Sequence, residues 1–82
     1  GGDEFAAFLP GYDTPAGVEI AERTRSRLAS SVIELDGVTV RPTISIGVAS
    51  FPTDGTSAEE LMRRADEALY RAKAAGRDRV ST

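Results

Sequence analysis

The stretch Thr43-Ile44-Ser45-Ile46-Gly47-Val48-Ala49 decides the fold. Its large apolar residues alternate with smaller ones at period 2, which is typical of a β-strand with two distinct faces. The loop Pro52–Gly55 follows, and then Ser57 and Glu60 form a capping box that predicts the start of a helix. The sequence here therefore predicts a strand, a loop and a helix.

The predicted helix has a continuous apolar face and a defined end. Gly76 stands where a glycine commonly ends a helix, and Val80 predicts a short terminal strand. We interpret Leu69 and Tyr70 as core residues of this helix. The residues that form its apolar face are Leu61, Ala65, Ala68, Leu69 and Ala72.

Upstream of the decisive strand, Asp36-Gly37 is a strong hairpin-turn signal between two short apolar runs. Before it, Asp13 or Thr14 can cap a helix whose first position is Pro15. We expect the inward stripe of that helix to include Ile20, Thr24 and Leu28, with Ala21 and Val32 beside them.

The first residues predict a turn and a strand. Gly1-Gly2-Asp3-Glu4 is typical of a tight turn, and Phe5–Leu9 is apolar on both faces, until Pro10-Gly11 ends it. Such a run suits a central strand that is covered on both sides. The whole pattern is β-α-β-β-α-β, an α+β fold. Because a domain rarely opens on a central strand, we expect preceding elements to be missing from this chain.

Composition excludes several kinds of chemistry. The 82 residues make at most one small domain, and they include no cysteine and no histidine. Disulfides, thiolate nucleophiles, Cys/His zinc sites and imidazole catalysis are therefore excluded. The net charge of −3 argues against a nucleic-acid polymer as partner, and no apolar run is long enough for a membrane segment. Carboxylates, basic side chains and a hard metal ion remain available for catalysis.

Three stretches carry a family resemblance. They are Gly1-Gly2-Asp3-Glu4-Phe5, Thr43–Ala49, and Ala65–Lys73 running on to Gly76-Arg77-Asp78-Arg79-Val80. Together they resemble the second half of a GGDEF domain, the module of diguanylate cyclases, over nearly the whole chain. The resemblance implies that residues 1–82 are the C-terminal half of a single such domain. It also implies a ferredoxin-like sandwich similar to the palm of nucleotidyl cyclases, here truncated.

The implied activity is the condensation of two GTP molecules into cyclic di-GMP with release of two pyrophosphates, by a homodimer with one GTP on each domain. By position in the motif, Asp3 and Glu4 would be the metal and catalytic carboxylates, with Mg²⁺ or Mn²⁺ as cofactor. Carboxylate oxygens suit Mg²⁺, although a solvated turn is the alternative interpretation. Gly1 and Gly2 would let the nucleotide approach the backbone, or serve the turn alone.

The resemblance also assigns roles to basic residues. Lys73 and Arg77 match the pair that contacts the triphosphate, although from spacing alone two cations near a helix end are explained by the helix dipole. Arg23 matches a product-inhibition contact with cyclic di-GMP, and an exposed helical pair with Glu19 is an equal alternative.

The family's first strand and its guanine-binding helices are not in the 82 residues. We therefore expect an active, cytoplasmic parent protein, with upstream sensory regions that could anchor it to a membrane, and an inactive isolated fragment. Two alternatives stay open: a catalytically silent module that senses GTP or cyclic di-GMP, and a structural or dimerising fragment.

Overall fold

The computed structural model describes the backbone of Asp3–Phe8 and residues 13–82 in full. The predicted turn at Gly1-Gly2 and the predicted strand end at Pro10-Gly11 lie outside the described residues. So does Leu9, the last residue of the predicted first strand.

Seven elements follow one another along the described part of the chain. They are β1 (Asp3–Phe8), α1 (Thr14–Ala29), β2 (Ile33–Leu35), β3 (Val38–Val40), β4 (Ile44–Ala49), α2 (Ala58–Ala74) and β5 (Val80–Ser81). The α+β class is confirmed. The sequence pattern predicted two strands between the helices, and the structure has three. β2 and β3 form a separate hairpin, and β4 is a further strand after Pro42.

The main sheet has the strand order β1-β4-β5, and both of its pairings are parallel. All six residues of β4 are buried, because α1 and α2 cover its two faces. Ala21 of α1 packs with Ile44, Ile46 and Val48 on one face. Leu61 and Ala65 of α2 pack with Ala49 on the other. The decisive strand of the sequence is therefore the centre of the fold.

The first strand forms as predicted but begins two residues earlier, at Asp3. It pairs with β4 along its whole length, from Asp3 opposite Ile44 to Phe8 opposite Ala49. Among the described strands it has no second neighbour, so β1 is an edge of the described sheet.

The hairpin turn is confirmed. Asp36 and Gly37 have φ values of 50° and 79°, the left-handed conformation that a tight two-residue hairpin loop requires. The strands that it joins, β2 and β3, are exposed throughout.

The helix ends follow the capping signals closely. Asp13 caps α1 through a bond that its side chain accepts from the Ala16 N–H, 2.9 Å, so Thr14 and not Pro15 is the first helical residue. Ser57 caps α2 by accepting from the Glu60 N–H at 3.1 Å. The Glu60 carboxylate accepts from the Thr56 N–H, so the predicted capping box is met only in its first half.

Three predicted burials are wrong. Tyr70 is 72% exposed, because it lies about 200° around the helix from the sheet-facing Ala68. Thr24 is exposed, and its hydroxyl donates to the Ile20 carbonyl of its own helix at 3.0 Å. Val32 is 49% exposed, because it lies beyond the C-terminal end of α1. Within the described ranges, neither helix is long and apolar enough to cross a membrane.

Candidate functional site

The backbone of the predicted carboxylate pair lies at the amino end of the main sheet. Asp3 and Glu4 are the first two residues of β1, opposite Ile44 and Ser45 of β4. Their side chains lie outside the described part, as do Gly1 and Gly2 entirely. The strand register therefore places the backbone of Asp3 and Glu4 at the amino end of the sheet, beside Ile44 and Ser45 of β4.

The predicted basic pair reaches the same end because α2 runs antiparallel to β4. Leu61, in the first turns of α2, packs beside Ala49 at the carboxyl end of the strand. Further along, the Leu69 backbone crosses Gly47 at the middle of the strand. Lys73 and Arg77 come after Leu69, so they lie toward the amino end, where β1 begins.

A hydrogen bond ties the segment after α2 to this end of the sheet. The Asp78 N–H donates to the buried Ser45 hydroxyl at 3.1 Å. Ser45 is the register partner of Glu4. Since neighbouring strands lie about 4.8 Å apart, roughly 10 Å separates the Glu4 backbone from the segment that carries Arg77. A nucleotide triphosphate can span that distance.

The backbone of this segment is unusual. Gly76, Arg77 and Asp78 have φ values of 122°, 63° and 47°, so three consecutive residues occupy the left-handed region. Glycine at the first position confirms the predicted helix end. The two residues after it have side chains, for which this conformation is uncommon and is held by surrounding contacts.

Those contacts include an ion-pair network that the sequence did not reveal. Arg25 of α1 donates from Nη1 to Asp78 Oδ1 at 2.8 Å and from Nε to Glu22 at 2.9 Å. These charge-assisted bonds raise the pKa of the Arg25 guanidinium, and the bond from Arg25 lowers the pKa of the Glu22 carboxyl below 4.5. The spacing of Glu22 and Arg25 predicts a pair on α1, but no local pattern predicts a partner 53 residues away.

Lys73 is half-buried and Arg77 is exposed. Their side chains can therefore meet a ligand that arrives from solvent at the amino end of the sheet. Arg23 forms the predicted i,i+4 pair with Glu19, 3.2 Å, with 62% of the Arg23 side chain exposed.

A metal ion at this end would depend on Asp3 and Glu4. In the part of the chain that the structure describes, no group of three or more acidic side chains lies together. An adjacent pair of carboxylates fits Mg²⁺, which usually takes one or two protein carboxylates and completes its shell with water and phosphate oxygens.

A cavity of about 430 Å³ lies at the opposite, carboxyl end of β4. The Asp54 carboxylate in its wall accepts a bond from the Ser50 N–H at 2.8 Å. None of the predicted site residues lines it; its described walls are Thr14, Val48, Thr53, Asp54, Arg64, Arg71 and Thr82.

Comparison with known proteins places this geometry in a family context. The family model described as "Diguanylate cyclase, GGDEF domain" matches residues 1–79. Diguanylate cyclase A of Treponema denticola is 42% identical over 81 residues, which cover 99% of this chain and 22% of the relative. Diguanylate cyclase DgcP of Pseudomonas aeruginosa is also 42% identical, over 98% of the chain and 12% of the relative. Response regulator PleD of Caulobacter vibrioides is 38% identical, over 98% of the chain and 18% of the relative. The chain thus spans less than a quarter of the length of each of these relatives.

Proposed function

Because the chain belongs to the GGDEF family of diguanylate cyclases, we propose that residues 1–82 are the C-terminal half of one catalytic domain. The proposed reaction condenses two GTP molecules into cyclic di-GMP and two pyrophosphates. Two domains, each with one GTP, would face each other in a homodimer, so that each 3′-hydroxyl attacks the α-phosphorus of the opposite nucleotide.

One observation carries the proposal. The register partner of Glu4 is Ser45, and the Ser45 hydroxyl holds the N–H of Asp78, the residue after Arg77. The start of β1 therefore lies at the same end of the sheet as the end of α2, which carries Lys73, and the segment after it, which carries Arg77. Acidic and basic groups so arranged suit a metal-bound triphosphate, since the acids attract the cation and the bases attract phosphate oxygens.

The roles that we propose follow from this arrangement. Asp3 and Glu4 would hold Mg²⁺ or Mn²⁺, which supplies charge neutralisation at the phosphates and a lower pKa for the attacking hydroxyl. Lys73 and Arg77 would bind the triphosphate, Arg77 through its planar fork and Lys73 as a point charge. Gly1 and Gly2 would allow close approach of the nucleotide, because neither carries a Cβ.

The palm-like, ferredoxin-type sandwich is part of the same proposal. This part of the proposal rests on the family alone, because β1 and β4 of the described β-α-β unit pair directly, whereas a ferredoxin-like fold has another strand between the two parallel strands of such a unit. We also propose a cytoplasmic location, where GTP is available, and a regulatory contact between Arg23 and cyclic di-GMP.

The decisive experiment uses the natural full-length protein. GTP and Mg²⁺ are incubated with it, and the products are separated by chromatography. We expect cyclic di-GMP and pyrophosphate in a ratio of one to two. Binding of GTP without turnover would instead support the sensing module, and neither binding nor turnover would support the structural or dimerising role.

A further inference from the structure

We propose that Asp78 is a positioning residue that sets the direction of Arg77 toward the triphosphate, with Arg25 and Ser45 as its anchors. The inference rests on the proposed function, in which Arg77 binds phosphate. It adds residues from α1 and β4 to a site otherwise built from β1 and the end of α2.

The argument begins with the backbone of Arg77. Its φ of 63° is uncommon for a residue with a Cβ, and an unrestrained chain would relax to negative φ. Because φ determines where the Cα–Cβ bond points, that relaxation would redirect the guanidinium. The backbone conformation of Arg77 is therefore itself part of the proposed binding site.

Bonds on both sides of Arg77 hold this conformation. The Arg77 N–H donates to the Ala72 carbonyl at 3.0 Å, and the Arg77 carbonyl accepts from Arg79 Nε at 3.0 Å. Both bonds are local, within five residues. They leave open how the segment is fixed against the sheet.

Asp78 supplies that attachment twice. Its N–H donates to Ser45 Oγ at 3.1 Å, and its carboxylate accepts from Arg25 at 2.8 Å. Ser45 is 1% exposed and central in the sheet, and the Arg25 side chain is 19% exposed. Arg25 is in turn oriented by Glu22, which engages its Nε and Nη2 and leaves Nη1 for Asp78. Asp78 thus links the segment to both β4 and α1, beside the backbone bond that the Ile46 N–H donates to the Arg79 carbonyl at 2.9 Å.

The test measures steady-state kinetics of the full-length protein as pyrophosphate release against GTP concentration. Asp78→Ala should raise the KM for GTP about tenfold, the scale of one lost charge-assisted bond, and change kcat less than twofold. Asp78→Asn keeps a side-chain oxygen for Arg25 and should stay within about threefold of wild type. Arg64→Ala, which removes an exposed 3.8 Å pair with Glu67 on α2, is the control and should leave the KM unchanged.

A double variant separates positioning from general stability. In an Arg77→Ala background, Asp78→Ala should raise the KM no further, because the residue through which it acts is gone. If the two effects add, Asp78 does not act through Arg77 and the inference is wrong. If Asp78→Ala does not fold, Arg25→Gln with the same Arg77→Ala comparison applies the same criterion. If Arg77→Ala alone leaves the KM unchanged, the proposed phosphate contact itself fails; if only the Asp78 and Arg25 variants are silent, the proposed function stands and the positioning role falls.

Discussion

Gly47 lies directly against the backbone of Ala65: a Cβ built at residue 47 would stand 2.3 Å from the Ala65 carbonyl oxygen. The same Cβ would also stand 2.3 Å from the Leu69 backbone nitrogen. Both neighbours are main-chain atoms of a helix, so no side-chain rotation can relieve the clash. The contact fixes the separation between β4 and α2, and with it the height of the basic pair above the sheet.

Gly47→Ala should therefore destabilise the protein strongly. Overpacking a core usually costs about 1–3 kcal/mol, and a clash with rigid backbone belongs at the upper end of that range. Thermal and urea unfolding of the full-length protein give the free energy of unfolding. Gly37→Ala is the matched control, because its Cβ meets nothing within 4 Å and only its φ of +79° resists the change, at about 1–2 kcal/mol. Equal losses for the two variants would contradict the packing argument.

The sequence predicted the parts of the fold that depend on local patterns. The alternation in Thr43–Ala49, the Asp36-Gly37 turn, the Ser57 cap and the Gly76 helix end all appear in the structure. Each of these signals is a preference of a few adjacent residues for one backbone conformation, so a single sequence is enough to show it.

The contacts that connect distant segments were not predictable. Two contacts of Asp78 join segments that are far apart in the sequence. Its N–H donates to the buried Ser45 hydroxyl, 33 positions away, and its carboxylate pairs with Arg25, 53 positions away. The burial predicted for Tyr70 was wrong for a related reason. Hydrophobicity indicates a core residue, but only the packing of α2 on the sheet decides which side of the helix is covered. The candidate site was therefore predicted as two separate motifs, without the residues that hold one of them in place.

Glu4→Gln should abolish GTP turnover in the full-length protein and leave its melting temperature within a few degrees of wild type. The amide has almost the same size as the carboxylate but lacks the negative charge that a divalent cation requires. Product chromatography after incubation with GTP and either Mg²⁺ or Mn²⁺ measures the effect. Near-normal turnover in this variant would rule out the metal-site role of Glu4.

Replacing Lys73 or Arg77 with alanine should weaken GTP binding by about 1.5–3 kcal/mol, the range for hydrogen bonds to charged groups. The free energy of unfolding should change by no more than about 0.5 kcal/mol, as is usual for surface substitutions. Calorimetric titration with GTP and a thermal melt separate the two quantities. Arg27→Ala is the control for the helix-dipole effect, because Arg27 also lies in the last turn of a helix, α1, and has no part in the proposed triphosphate contact. Unchanged GTP affinity with a marked loss of stability would favour the helix-dipole explanation of the basic pair.

The Glu22–Arg25–Asp78 network should make the free energy of unfolding depend on pH in the acidic range. The folded pKa of Glu22 is below 4.5, so its contribution is complete above that pH and is lost as pH falls through the folded pKa. The stability difference between wild type and Glu22→Gln should therefore be largest above pH 4.5 and shrink as the pH falls through the folded pKa below it. Melts across this range measure it. Glu19→Gln is the control, because its partner Arg23 is 62% exposed and such pairs contribute little. A difference that grows on acidification would have the wrong sign for this network.

The last prediction concerns residues 1–82 expressed alone. Edge strand β1 has no second neighbour among the described strands, and exposed strand edges template association. The hairpin adds apolar surface, since Leu35 and Val38 are 61% and 60% exposed. A two-stranded hairpin that contacts no other described element is marginal in water, and an 82-residue chain has little stability to spare. We expect the isolated chain to self-associate or to be partly disordered, and to make no cyclic di-GMP even with excess GTP and Mg²⁺. Sedimentation and a GTP-conversion assay on one sample measure both properties, with Leu35→Lys and Val38→Lys together as the variant that should reduce association by placing charge on the hairpin. A compact monomer would contradict the structural half of the prediction, and measurable turnover would contradict the catalytic half.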